Sequence, residues 1–219
     1  MPIDHDATRL AIARLAARLF LANGVAATSG KDIAAAAGVS ERTVWRHFRT
    51  KESCVEPLLS QSALRFTQHM LGWSRLISIE DHLSEVFALD RQSESDIQDG
   101  ILIVRLVAIL PKEPDLQATW LMASHLGERG LVDIIAARLD RSPDDFDIRL
   151  CAATVSAAMR VVDEDISLAA IERGEVFTLA DVVSRMARAI RAASTLPFCD
   201  PLPLRKPNQS APDPTQIRP

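Results

Sequence analysis

A chain of 219 residues with 47% apolar side chains can bury the core of a small domain and of a larger one beside it, and nothing before its final stretch suggests disorder. The net charge of −4 excludes a uniformly basic nucleic-acid coat, yet residues 1–51 carry eight Lys and Arg against four Asp and Glu (+4), leaving 17 against 25 (−8) for residues 52–219, so the positive field is gathered at one end. Cys54, Cys151 and Cys199 lie too far apart for a disulfide framework or zinc site, no signal peptide is evident, and the apolar run Ile101–Leu110 is short and broken by Arg105; the expectation is a soluble cytoplasmic protein with no metal and no cofactor.

The opening MPIDHDA is polar. Ile12, Ala16, Leu19 and Phe20 then recur at helical spacing until Asn23-Gly24 stops a first helix, with Arg9, Arg14 and Arg18 outside it as a solvated face or, for one of them, a phosphate contact. The stretch Thr28–Lys51, TSGKDIAAAAGVSERTVWRHFRTK, predicts two short helices joined by a tight turn. Ser29 and Asp32 have capping-box spacing, Ile33, Ala34 and Ala37 form an inner face, Gly38 suits a positive φ, and Val39 plugs the turn. Ser40 caps the second helix, in which Val44 and Phe48 point inward while Arg42, Trp45, Arg46 and Arg49 point outward. Three arginines on one face can be mere solvated charge, but here hydrophobic, capping, glycine and basic signals agree in one window, and a basic, aromatic helix face suits the DNA major groove.

The run DIAAAAGVSERTVWRHFRTKE, within Leu10 to about Leu59, strongly resembles the DNA-binding segment of the tetracycline-repressor (TetR) family. The resemblance implies an all-α protein with an N-terminal three-helix helix-turn-helix DNA-binding domain, placed here at 1–51, and a larger helical ligand-binding and dimerisation domain, placed at 52–196. It further implies that Lys31, Glu41 and Arg42 approach bases and that Thr43, Trp45, His47 and Lys51 touch phosphates; Ser29 and Arg46 complete the expected DNA-binding set. Two positions depart from the family pattern: Trp45 stands where Tyr is usual, and Gly30 where a larger residue is usual. For Glu41, His47 and Thr43 a plainer reading stands beside the contact: a first-turn acid favouring the helix dipole, a ring packed on Phe48, and ordinary helix surface.

After the reading segment Thr50 caps a new helix running to about Leu71, with Lys51 near its positive end as a phosphate grip and Leu58, Leu59, Leu64, Phe66 and Met70 carried into the second domain as the mechanical link. Helices follow at roughly 80–91, 96–110, 114–139, 144–172 and 178–195, broken at Gly72, Ser93–Ser95, Pro111, Pro114, Ser142-Pro143 and Gly174. Gly127 and Gly130 cost their helix about 1 kcal/mol each against Ala, which points to a kink or close helix packing. Residues 197–219 hold seven of the twelve prolines and read as an extended, mostly disordered tail.

The sets Ala153, Ala157, Ala158, Val161 and Leu179, Val182, Val183, Met186, Ile190 offer faces for a symmetric four-helix homodimer interface or, alternatively, complete the monomer core. Phe66, Met70, Trp73, Phe87, Leu102, Trp120, His125 and Met159 are candidate walls of a small-molecule effector pocket, or ordinary core, and Arg105 is either an anchor for a ligand carboxylate, a structural ion pair or a snorkelling side chain. Asp163, Glu164 and Asp165, being consecutive, read as solvated charge. With no catalytic constellation in sight, the expected function is a dimeric, ligand-responsive transcriptional regulator, a repressor, binding a palindromic operator; a helical enzyme or a protein-interaction module is the alternative.

Overall fold

In a computed structural model, which describes residues 5–88 and 93–202, all regular secondary structure among the described residues is helical. Helices α1 (His5–Asn23), α2 (Gly30–Ala37) and α3 (Glu41–His47) make an N-terminal head; a 3-10 turn, Glu52–Val55, leads into α4 (Glu56–Leu71). Then come α5 (Ile79–Val86), α6 (Glu94–Ile109), a second 3-10 turn (Leu110–Lys112), α7 (Pro114–Leu139), α8 (Phe146–Glu172) and α9 (Leu179–Ala193).

The boundaries follow from capping chemistry. Ser29, Ser93 and Thr178 each accept from the backbone N–H three residues on, while Asp32, Asp96 and Asp181 reach back to the cap N–H, so α2, α6 and α9 begin at full capping boxes. The α6 start therefore lies at Glu94, two residues ahead of the expected 96. The helix expected over 80–91 stops earlier, since α5 ends at Val86 with Phe87 as its cap; residues 89–91 of that range lie outside the described residues. Thr50 does cap, accepting from Ser53 N–H at 3.1 Å, but what it caps is the 3-10 turn, and regular α4 begins only at Glu56 with Pro57 in its first turn.

Two apolar clusters organise the molecule. The first joins Phe20, Ile33, Val44 and Phe48 of the head to Leu58 and Leu59 of α4, and continues through Leu102, Leu106 and Leu110 to Leu116 and Trp120 of α7. The head thus shares a continuous core with α6 and α7. The second gathers Met70 and Trp73 with Ile79 and Leu83 of α5, Ile134 and Ile135 of α7, Ile148 and Val155 of α8, and Met186 and Ile190 of α9. Leu64, expected among the inward residues of α4, is 48% exposed.

Gly127 and Gly130 resolve to close packing. A Cβ on Gly127 would lie 3.0 Å from the Ala63 Cβ, and one on Gly130 2.8 Å from the Thr67 Cγ2, so the two glycines let α7 seat directly against α4. On α9, Val183, Met186 and Ile190 are buried within this chain's own core and are unavailable to a partner, whereas Ala157 and Val161 of α8 stay exposed.

The expectation of an extended tail from residue 197 is corrected for its first residues. Phe198 and Cys199 are buried, Ile79 N–H donates to the Cys199 carbonyl at 2.9 Å, and Leu202 N–H donates to the Arg75 carbonyl at 2.7 Å. The organiser is Arg138, 4% exposed, whose guanidinium stacks 3.6 Å from the Trp73 ring centroid. It donates to the carbonyls of Phe198 (2.6 Å), Ser74 (2.8 Å), Ile77 (3.0 Å) and Asp200 (3.1 Å), so four backbone acceptors satisfy the buried cation. Residues 203–219 lie outside the described residues.

Candidate nucleic-acid interface and internal cavity

The head exposes most of the side chains expected to meet DNA. Gly38 takes a left-handed φ of 66° at the end of α2, and its N–H closes back on that helix. Ser40 accepts from Thr43 N–H at 3.1 Å and fixes the start of α3. With Val44 and Phe48 buried, Arg42, Trp45, Arg46 and Arg49 are exposed on one side, and Lys31, Ser29 and Glu41 are exposed nearby. Thr43 and His47 are half-buried, Thr43 sharing a hydrogen bond of 2.8 Å with the Ser40 hydroxyl and His47 lying 6.2 Å from the Phe48 ring.

The two departures noted in the sequence turn out to be one. A Cβ on Gly30 would stand 2.0 Å from the Trp45 Cζ2, so the indole lies across the α2 N-terminus in space that only glycine leaves open. Its N–H donates to the Glu41 carboxylate at 3.1 Å, which holds the ring flat against the head and occupies the group expected to meet a phosphate.

Lys51 differs from expectation. Its ammonium donates to the carbonyls of Val25 (2.5 Å) and Thr28 (3.0 Å), with Ala26 at 3.4 Å, so it clamps the α1–α2 turn and is not an open phosphate grip. The outer arginines of α1 are also partly committed: Arg9 pairs with Glu56 at 2.8 Å, and Arg14 binds Asp99 through two 2.7 Å hydrogen bonds, while Arg18 is exposed. The Arg14–Asp99 pair ties the head to α6, with the Asp99 carboxylate almost fully buried.

Where the two apolar clusters meet lies a cavity of about 460 Å³. Phe66, Phe87, Trp120 and Met159, four of the expected wall residues, line it together with Leu59, Leu131 and Met186. The other four fall elsewhere, Leu102 in the first apolar cluster. Met70 and Trp73 are buried in the second cluster, where Trp73 holds Arg138 and donates to the Ile77 carbonyl at 3.1 Å. His125 is exposed beside Glu128, and Arg105 is exposed on α6, so its guanidinium reaches water and is no anchor for a cavity ligand.

Charged residues that the sequence did not assign to the wall, Arg65, Asp96, Arg160 and Asp163, also line it. Arg65 pairs with Asp96, and Arg160 with Glu164 at 2.8 Å; Glu164 also accepts from the Trp120 indole at 3.2 Å. The reading of residues 163–165 as uniformly solvated charge is corrected: Asp165 pairs outside with Arg185 at 2.6 Å, Glu164 is tied to the wall, and Asp163 lines the cavity. Asp163 is exposed by its surface area yet lines the cavity with protein crowded around it; that desolvation first, and the Glu164 charge second, push its carboxyl up to about 7. A one-residue step of α8 turns successive side chains by about 100°, which is why three adjacent acids meet three environments.

Among the described residues no three metal-ligating side chains come together, and no helix is long and apolar enough to cross a membrane. The profile of "Bacterial regulatory proteins, tetR family" matches residues 12–58. The chain is 32% identical over 166 residues, 72% of each protein, to the HTH-type transcriptional regulator TcmR of Streptomyces glaucescens. It is 38% identical over 68 residues to the HTH-type transcriptional repressor Rv3405c of Mycobacterium tuberculosis, a match covering 31% of this chain and 36% of that one. The fold is similar to Salmonella enterica GusR (TM-score 0.52, 23% identity, 84% of this chain and 96% of that one). It is also similar to a TetR-family regulator structure from Rhodococcus sp. (TM-score 0.53, 19% identity, 85% of this chain and 98% of that one).

Proposed function

The chain belongs to the tetR family of bacterial regulatory proteins, and on that footing we propose that it is a dimeric repressor which binds a palindromic operator and releases it when a small organic effector occupies the cavity. The family is one of regulatory DNA-binding proteins. Arg42, Arg46 and Lys31, exposed on and beside α3, would read bases and phosphates, and a symmetric dimer would set two α3 helices about one DNA turn, roughly 34–36 Å, apart. The exposed line Leu150, Ala157 and Val161 along α8 suits that dimer contact.

The observation that carries the effector reading is where the cavity sits. Its wall includes Leu59, Ala63 and Phe66 of α4 and Asp96 and Gly100 of α6. These are the two helices that hold the head: α4 through Leu58 and Leu59 in its core, α6 through Asp99 on Arg14. A ligand between them has a direct mechanical route to the reading face. The test is a titration of the DNA upstream of the protein's own gene, alone and with a compound selected because it stabilises the protein against heat. Retarded DNA that the compound releases supports the proposal; failure to bind the fragment, or any other palindrome selected from a random pool, refutes it.

A further inference from the structure

The electrostatic ledger of the cavity wall leaves one group over. Arg65 is balanced by Asp96 and Arg160 by Glu164, and Glu164 is further engaged by Trp120. His69 also lines the space, with an exposed side chain and its carbonyl accepting from His82. Asp163 is the wall carboxylate with no hydrogen-bond or ion-pair partner among the described residues. The same wall includes the aromatic side chains of Phe66, Phe87 and Trp120, and Met159 lies one helical turn before Asp163 on α8.

We propose that the cavity takes a cationic, largely apolar organic molecule, an aryl or alkyl ammonium, whose positive charge rests against Asp163 and whose apolar body lies among Phe66, Phe87 and Trp120. This rests on the reading of the cavity as the effector site. The wall offers an incoming anion no free guanidinium, because both cavity arginines already have carboxylate partners. It offers a cation one unshared carboxyl and several π faces, which attract positive charge electrostatically. Without a countercharge the desolvated carboxyl resists ionisation, so a bound cation supplies what the protein withholds.

Three probes with one 6-(2-naphthyl)hexyl arm separate charge from apolar fit: a trimethylammonium, a primary alcohol and a sulfonate. Calorimetric titration of the full chain should find the ammonium binding at least about tenfold more tightly than the alcohol, and the sulfonate weakest. In Asp163→Asn, of nearly the same shape, the ammonium's advantage should vanish while the alcohol keeps its affinity, which also shows that the variant is folded. An alcohol or sulfonate that binds as well as the ammonium, an ammonium that fails to bind, or an unchanged ammonium affinity in Asp163→Asn overturns the assignment. Operator affinity measured with each probe keeps the two readings apart. If the alcohol binds and releases DNA with no role for Asp163, the cation site is wrong and the effector cavity stands. Asp163-dependent ammonium binding that leaves operator affinity untouched supports the cation site and refutes the effector reading.

Discussion

At the scale of single residues, Gly30 and Trp45 show how a pair of unusual side chains is one solution. The indole atoms that a Gly30 Cβ would strike, Cζ2, Cη2 and Cε2, belong to the fused ring system that a tyrosine side chain lacks in that form. Gly30→Ala should therefore swing the indole off the head, break its bond to Glu41, and weaken operator binding by on the order of 1–3 kcal/mol. The Gly30→Ala/Trp45→Tyr double variant should recover most of that loss in a fluorescence-anisotropy titration; a double variant as impaired as the single one would show that the two positions are independent. Asp163 gives a second test at this scale. Its carboxyl is pushed up to about 7 from an ordinary 3.8, so between those values the folded state holds a proton that the unfolded chain has lost. Its contribution is thus fully present below about 3.8 and is lost as pH rises toward about 7. Asp163→Asn, which has no proton to lose, should raise the melting temperature at pH 8 and leave it little changed at pH 4; equal shifts at both would mean that the carboxyl is solvated. The sequence could not place Lys51, because a lysine at a helix entry reads equally well as a phosphate grip or as a clamp, and only the fold brings the carbonyls of Val25 and Thr28 to its ammonium.

At the scale of elements, most of the fold was legible because most helices announce their ends, the end of α5 and the start of α4 being the exceptions. The Ser29/Asp32 box, Gly38 and Pro114 marked starts and stops within a residue or two. What periodicity could not say is which neighbour a face meets. Val183, Met186 and Ile190 form an apolar stripe that serves a dimer or a monomer core equally in sequence terms, and α9 spends it on its own core. The same limit applies to Arg138 and Phe198, whose contact joins residues 60 apart and packs the start of a proline-rich segment that composition alone assigns to a tail. Gly127 and Gly130 were legible as a warning of close approach, and the structure supplies the partner, α4. Gly130→Ala gains about 1 kcal/mol of helix propensity but sets a methyl 2.8 Å from the Thr67 Cγ2. The clash should win, lowering the melting temperature, and Thr67→Ser should recover only part of that loss, because it removes the Cγ2 but leaves the residue-67 Cβ 2.9 Å and the hydroxyl 3.2 Å from the added methyl. Additive effects of the two substitutions would contradict the packing described.

At the scale of the whole molecule, the division into an N-terminal head and a helical body is chemical more than mechanical. Charge separates them, +4 over residues 1–51 against −8 over the rest, while one apolar cluster runs from Phe20 to Trp120 and joins them. Trp120 belongs to that shared core and also lines the cavity, so occupancy of the cavity bears on the packing that positions α3. The head was legible in the sequence because its residues are local; the cavity was only half legible, four wall residues of eight, because Asp163 and Arg65 gain their roles from helices distant in the chain. If cavity and operator compete for two arrangements of α4 and α6, each must weaken the other by the same factor, typically about 5–150-fold. The most direct measurement is the binding constant of a cavity ligand for the free protein and for the protein saturated with operator DNA. Weaker ligand binding to the operator complex, by the same factor that the ligand weakens operator binding, is the expected result; identical constants in the two states would contradict it.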